Sequence, residues 1–462
     1  METEGLYPVR KIRDLKDMMT QSCMIFKDKT AFLIKENDNQ YREISYSQFG
    51  KDADALGTAL LKLGLENSLI AVIGENRYEW CVSYMAAVNG VGTVVPLDKD
   101  LSSDELQKLL NICEAKAIIF SGRNENQIKE IMKNVPKVKY FIGMDLAEDA
   151  KSCLSFNRLI YNGKDLIKAG DEGFIKAKID SGIMNILMFL PDSSDSPKGV
   201  MLTHHNVCSN ISSVCSTVYV SNEDVSLSIL PIHNAFECTV DFLCMIYNGG
   251  TIAFNNSFKN LPKNIKEVKP TLLVTVPSLL DKIYRKIWEK AEKKMFLKVK
   301  LKLSLILTNL LNSVMAIDIR NKVFRELHDG LGGRVRLIIT GAGAIRPEVS
   351  KCFRQMGIQV LQGYGLTECS PLITGNREMD FVDGSCGLPI PGVEVKILKP
   401  GFRGVGEILV KGENVMLGYF RNKEATDKSI RNGWFFTGDL GRLDKNGFLY
   451  ITGHLKQNIT KT

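Results

Sequence analysis

Three short segments of this sequence bring together side chains suited to phosphates, a hard cation and a sugar. Residues 192–200 read DSSDSPKGV. Ser193, Ser194 and Lys198 fall between an apolar run at 185–190 and a helical pattern that starts at His204. Backbone N–H groups at such a junction point at a ligand and the lysine adds charge, so the loop suits an anion. It lacks the Gly-x-x-x-x-Gly-Lys core of a P-loop, and taken alone a surface turn accounts for it equally well. Residues 362–368 read QGYGLTE. Gly363 and Gly365 bracket Tyr364 and permit close backbone approach to a ligand. Tyr364 could stack on a base, Thr367 offers a hydroxyl to a phosphate, and Glu368 offers a hard oxygen to Mg²⁺. Residues 433–441 read GWFFTGDLG. Asp439 there can accept hydrogen bonds from ribose hydroxyls, although aspartate is also a common turn residue.

These segments need a scaffold, and the pattern around them supplies one. Short β-branched runs alternate with amphipathic helical stretches. Residues 68–74, 92–97 and 117–120 read as buried strands, with helices over 78–88, 102–113 and 126–134 between and after them. Ser102 or Ser103 is placed to cap the second helix. This rhythm predicts βαβ units and a parallel sheet, and it returns at 271–276, 335–340 and 358–361. From about Asp380 the texture changes to Gly-rich turns between short strands at 393–398, 406–411 and 447–452, which predicts a small antiparallel barrel.

The chain has 462 residues, 44% hydrophobic and 24% charged, with mean hydropathy −0.05 and net charge +8. Its length predicts about three structural units. This composition excludes a disordered chain, a collagen and a membrane-embedded transporter. The mild positive charge suits anionic ligands without requiring nucleic acid. Eleven cysteines show no C-x-x-C pair and five histidines show no zinc spacing, which predicts buried, reduced thiols in a cytoplasmic protein. The charged N-terminus has no apolar segment of the signal-peptide kind. The apolar stretch 301–317 is interrupted by Lys302, Asn309 and Asn312 and is expected to form a buried helix, with membrane-surface contact as the alternative reading.

In their order along the chain the three segments resemble the adenylate-forming superfamily of acyl-CoA synthetases, luciferases and adenylation domains. The resemblance extends from about residue 30 to 456. It includes LPIHNAFE at 230–237, ITGAGA at 339–344, GEILVKGENVMLGY at 406–419 and GHLK at 453–456. The texture is most similar to bacterial AMP-forming long-chain fatty acyl-CoA synthetases. No FDxS-type aspartate follows Ala235, which argues against an amino-acid substrate. The resemblance implies an α/β fold: an N-terminal domain of two lobes with mostly parallel sheets over 1–379, a distorted β-barrel over 380–453, and a hinge remnant at 454–462, with the family's small C-terminal domain absent. It implies activation of a fatty acid or other small carboxylate with MgATP to acyl-AMP, then thioester formation with coenzyme A.

By the same resemblance Glu368 binds Mg²⁺ and acts with Thr367 on the phosphates. Ser193, Ser194 and Lys198 wrap the β- and γ-phosphates. Gly341, Ala342 and Gly343, with Gly363, Tyr364 and Gly365, flank the adenine. Asp439 and His454 meet the ribose, and His233, Asn234 and Glu237 border the acyl substrate. Membrane contact is expected to be peripheral at most, no nucleic-acid partner is implied, and the oligomeric state is open.

Several positions depart from the family pattern. Its phosphate loop reads approximately T-S-G-T-T-G-x-P-K-G, whereas this chain has LPDSSDSPKG. Asp192 and Asp195 replace glycines, and Pro191 replaces a serine. Asn234 stands for the second histidine of a pair, His454 for the hinge arginine, and Gln457 for another hinge residue. Turnover is therefore expected to be weak or nil, and the alternative is an impaired member that holds an acyl chain or adenylate without turning it over.

Overall fold

The computed structural model describes residues 3–37, 40–190, 197–255, 257–292, 299, 303–305, 307–308 and 319–455. Ser193, Ser194, Asp192 and Asp195 lie outside these residues, as do the hinge beyond residue 455 and most of the apolar stretch 301–317.

The β-branched runs fold as strands close to their expected bounds. Ser68–Ile73, Gly92–Leu97, Ala117–Phe120 and Tyr140–Gly143 pair in parallel, and Met184–Phe189 joins them in parallel through Val94 and Ile186. Their near-continuous apolar sequences suit strands covered on both faces. Among the described residues this sheet has eight strands, and its edge is made by Gly199–Thr203 and then Gly418–Tyr419, both antiparallel. A second, nine-stranded sheet has a parallel centre of Thr251–Phe254, Val225–Ser228, Leu272–Thr275, Leu337–Thr340 and Gln359–Gly365. Among the described residues Thr30–Asn37 extends it in parallel beyond Thr251–Phe254 and is followed by the antiparallel Gln40–Ser45, while the antiparallel Leu372–Gly375 and Leu388–Pro389 continue it beyond Gln359–Gly365. The chain then passes through Ile390, Pro391 and Gly392 into a third, curled antiparallel sheet of Val393–Leu398, Gly406–Gly412, Trp434–Leu443, Ile430–Arg431 and Leu449–His454.

Helices cover both faces of the parallel sheets. Ser103–Cys113 and Glu125–Ile131 pack on one side of the first sheet through Leu106, Leu110 and Ile128. Ser102 caps the former helix in a reciprocal capping box with Glu105. The other side contributes to the largest core, in which Trp80, Tyr84 and Phe242 meet stacked or edge-on. Two helical stretches are not α-helical. Ala87–Val91 and Glu237–Leu243 are π-helical, and Gly90 takes φ +150° in the first. All eleven cysteines are free thiols, and all but Cys23 are fully buried. No helix among the described residues is long and apolar enough to cross a membrane.

His204, at the start of the helix His204–Thr217, is fully buried and ties three elements together. Its Nδ1 accepts from the Leu15 N–H at 3.0 Å and its Nε2 donates to the Val88 carbonyl at 2.9 Å. The neutral Nε2–H tautomer alone satisfies both partners. Burial lowers the pKa of His204 to about 4. An unfolded histidine titrates near 6.5, so between these values the unfolded chain binds the extra proton and stability rises with pH. Acidification from pH 7.5 to about 4.5 should therefore cost about 2–3 kcal/mol through this residue. Urea unfolding across that range should show the loss in the parent chain and a flatter slope in His204→Gln. Equal slopes would exclude it.

Candidate active site

The site forms where the second sheet meets the curled sheet and the edge of the first. Tyr364 is near the end of the strand Gln359–Gly365, and its hydroxyl donates to Asp439 Oδ2 at 2.6 Å. Burial, followed by the charge of Asp439, pushes the Tyr364 hydroxyl far above its usual range, so it stays a donor. Asp439 belongs to Trp434–Leu443 and lies opposite His454 on the neighbouring strand. His454 Nδ1 contacts Asp439 Oδ1, so both carboxylate oxygens have a protein partner while each keeps a further lone pair. The preceding turn is held locally. Thr437 donates to the Ile408 carbonyl at 2.8 Å and accepts from the Asp439 N–H at 3.0 Å. Gly438 adopts φ +74°, a conformation that favours glycine.

Glu368 follows in the turn Thr367–Cys369 and is 8% exposed. Its Oε1 accepts from the Tyr419 hydroxyl at 2.8 Å, and its carbonyl accepts from the Met416 N–H at 2.8 Å. Burial raises the pKa of its carboxyl, while the Tyr419 hydrogen bond and the charge of Lys198 oppose the rise. Lys198 Nζ lies 5.3 Å from the centroid of the Tyr419 ring. Lys198, Tyr419 and Glu368 thus form one cluster, and Asp439 is near enough to act on Glu368 electrostatically. Thr367 is half-buried beside it.

Residues 341–343 follow the strand Leu337–Thr340. A Cβ on Gly341 would lie 2.9 Å from the Phe236 ring, so an aromatic side chain occupies the space that this glycine leaves. Ala342 takes φ +57°, the left-handed region that costs an alanine roughly 1 kcal/mol, and Gln362 Nε2 bonds the Gly343 carbonyl at 3.3 Å. Gly363 and Gly365 are also crowded by the chain that follows them. A Cβ on Gly365 would meet the Pro371 carbonyl at 2.2 Å, so the backbone there demands glycine, while one on Gly363 would crowd the Leu372 side chain at 2.7 Å and the Thr374 carbonyl at 3.1 Å.

The three proposed acyl-bordering residues flank Phe236, whose ring packs on Gly341. His233 is half-buried, with Nε2 3.6 Å from Asp98, and burial lowers its pKa. Asn234 is exposed and accepts the Phe236 N–H at 2.9 Å. Glu237 is fully buried, and its Oε1 accepts from Ser228 at 2.6 Å. Asp241, on the same π-helix, is its neighbour. Burial and then their mutual repulsion push the Glu237 carboxyl well above the usual carboxylate range, and burial raises Asp241 as well. Glu237 is therefore placed toward the strand Val225–Ser228. Sequence reading missed Asp241, and it treated Tyr419 only as part of a scaffold motif.

The AMP-binding enzyme family matches residues 19–420. The chain belongs to this family. A related protein, long-chain-fatty-acid–CoA ligase 5 of Rattus norvegicus, is 29% identical over 485 residues, which cover 99% of this chain and 70% of that one. The chain spans about two thirds of the length of its curated relatives. Among solved structures, the N-terminal domain of FACL13 from Mycobacterium tuberculosis superposes with a TM-score of 0.76 at 23% identity, covering 96% of this chain and all of that one. The anthranilate CoA ligase AuaEII, solved in complex with anthranoyl-AMP, gives 0.74 at 18% identity, covering 97% of this chain and 79% of that one. These similarities establish the adenylate-forming N-terminal domain fold. In this family member the predicted residues Lys198, Glu368, Tyr364, Asp439 and His454 converge, whereas Glu237 points into the core.

Proposed function

We propose that this chain is the large domain of an AMP-forming long-chain fatty acid–CoA ligase, with its paired lobes over 1–379 and its barrel over 380–453. The observation that carries the reading is the convergence of Tyr364 and Asp439 with Glu368, Tyr419 and Lys198 from three sheets. Asp439 and His454 hold the ribose hydroxyls, and Tyr364 with residues 341–343 flanks the adenine. Lys198 and Thr367, with Ser193 and Ser194, contact the phosphates. Mg²⁺ bound with a nucleotide needs only one or two protein carboxylates, and the nearly buried Glu368 supplies one. Bound there, Mg²⁺ would neutralise phosphate charge.

In the first half-reaction a carboxylate oxygen attacks the α-phosphorus and the bond to pyrophosphate breaks. In the second, the thiolate of coenzyme A attacks the acyl carbon and AMP leaves. The protein contributes position and fixed charge. His233 and Asn234 are assigned to the border of the substrate path.

ATP–pyrophosphate exchange tests this reading. Slow exchange that depends on a long-chain fatty acid, absent with acetate and lost in Glu368→Ala, is expected. A chain that binds AMP but shows no exchange with any fatty acid would sink the catalytic assignment.

A further inference from the structure

The geometry points to Tyr419 as a positioning residue that holds Glu368 and Lys198 in register for a metal–nucleotide complex. This rests on the reading of those two residues given above. One side chain serves both. Its hydroxyl donates to Glu368 Oε1 at 2.8 Å, and its ring faces Lys198 Nζ at 5.3 Å. Tyr419 is 6% exposed, and burial holds its hydroxyl protonated, so it acts only as a donor to the carboxylate.

The backbone around Tyr419 fixes that side chain from both directions. Tyr419 pairs with Val200, Phe420 N–H bonds the Gly199 carbonyl at 2.7 Å, and Leu417 N–H bonds the Met201 carbonyl at 3.0 Å. Its own N–H donates to Thr426 Oγ1 at 2.9 Å. Upstream, Met416 N–H bonds the Glu368 carbonyl, and Ser370 Oγ donates to the Asn414 carbonyl at 2.9 Å. Residues 414–420 therefore join the turn that carries Glu368 to the strand that begins next to Lys198. A carboxylate with one oxygen occupied by a fixed donor presents the other in a defined direction. A lysine over an aromatic face is held by the ring's negative face and keeps its three N–H donors for a ligand.

The test compares the parent chain with Tyr419→Phe, which keeps the ring, and Tyr419→Leu, which removes both contacts. Calorimetry with MgATP and with AMP separates the roles, because AMP is read by Asp439 and Tyr364. Tyr419→Phe should weaken MgATP about tenfold and leave AMP within about twofold, with a larger MgATP loss in Tyr419→Leu. The effect should vanish in a Glu368→Gln background, where the double variant binds MgATP no worse than the single one. MgATP affinity unchanged in both Tyr419 variants, or an undiminished loss in the Glu368→Gln background, would overturn the inference. A parent chain that binds neither nucleotide would sink the functional reading. Thermal melting of the parent, Tyr419→Phe, Glu368→Gln and their double variant would then still judge Tyr419, with non-additive drops in Tm expected and additive drops against it.

Discussion

Replacing Asp439 with alanine should abolish most nucleotide affinity, weakening AMP about a hundredfold or more. Two ribose hydroxyls donating to one carboxylate make charge-assisted hydrogen bonds, each worth about 1.5–3 kcal/mol, and every 1.4 kcal/mol is roughly tenfold. Asp439 is placed for this role because it is nearly buried, follows the left-handed Gly438, and already carries Tyr364 and His454 on its two oxygens. Those partners also make the alanine variant costly to the fold, since the half-buried Tyr364 hydroxyl loses its acceptor, at about 1 kcal/mol. Asp439→Asn separates the two effects. It keeps an acceptor for Tyr364 and the side-chain shape but removes the charge, so AMP should weaken about tenfold with a smaller fall in Tm. Calorimetry with AMP and thermal melting on both variants measure this. An AMP affinity within twofold of the parent in Asp439→Ala would remove Asp439 from the nucleotide site.

Local regularity explains which parts of this molecule could be read from its sequence. Residues 92–97, 117–120 and 393–398 fold as strands with the expected bounds, because β-branched runs flanked by turns leave little alternative. The capping box at Ser102 is also legible, since it needs only residues three apart. The π-helices at Ala87–Val91 and Glu237–Leu243 were not legible, because the apolar spacing of a π-turn within a buried helix resembles that of an α-helix. The placement of Tyr419 was hidden for another reason. Gly418–Tyr419 leaves the curled region to pair with the edge of the first sheet, a contact between residues more than two hundred apart. The glycines of QGYGLTE were legible as necessary, but the packing of Leu372 and Pro371 beside them was not, because it depends on the strand that follows.

The loop before Lys198 carries the other large effect. Changing Asp192 and Asp195 together to glycine should tighten MgATP at least about tenfold and leave AMP unchanged. The loop's ends are fixed, because the Leu190 N–H bonds the Lys198 carbonyl at 2.9 Å and Phe189 pairs with Gly199. At that point Lys198 faces Tyr419 and, beyond it, Glu368. With the phosphates of MgATP at Lys198, as proposed above, the two carboxylates in the preceding six residues of the sequence add like charge to that site. Each like-charge contact near 4 Å costs about 1 kcal/mol in water and about 4 kcal/mol at an effective dielectric near 20. Even the lower figure, counted twice, exceeds a tenfold change. AMP lacks the β- and γ-phosphates, so it serves as the internal control. The gain should shrink as salt rises, because screening weakens repulsion between charges that reach solvent. Exchange with a long-chain fatty acid should accelerate in the same variant, since the pyrophosphate leaving group carries the charge that the aspartates oppose. MgATP affinity that stays unchanged, or AMP affinity that rises equally, would show that these aspartates do not oppose the phosphates and that the weak turnover expected of this chain has another origin.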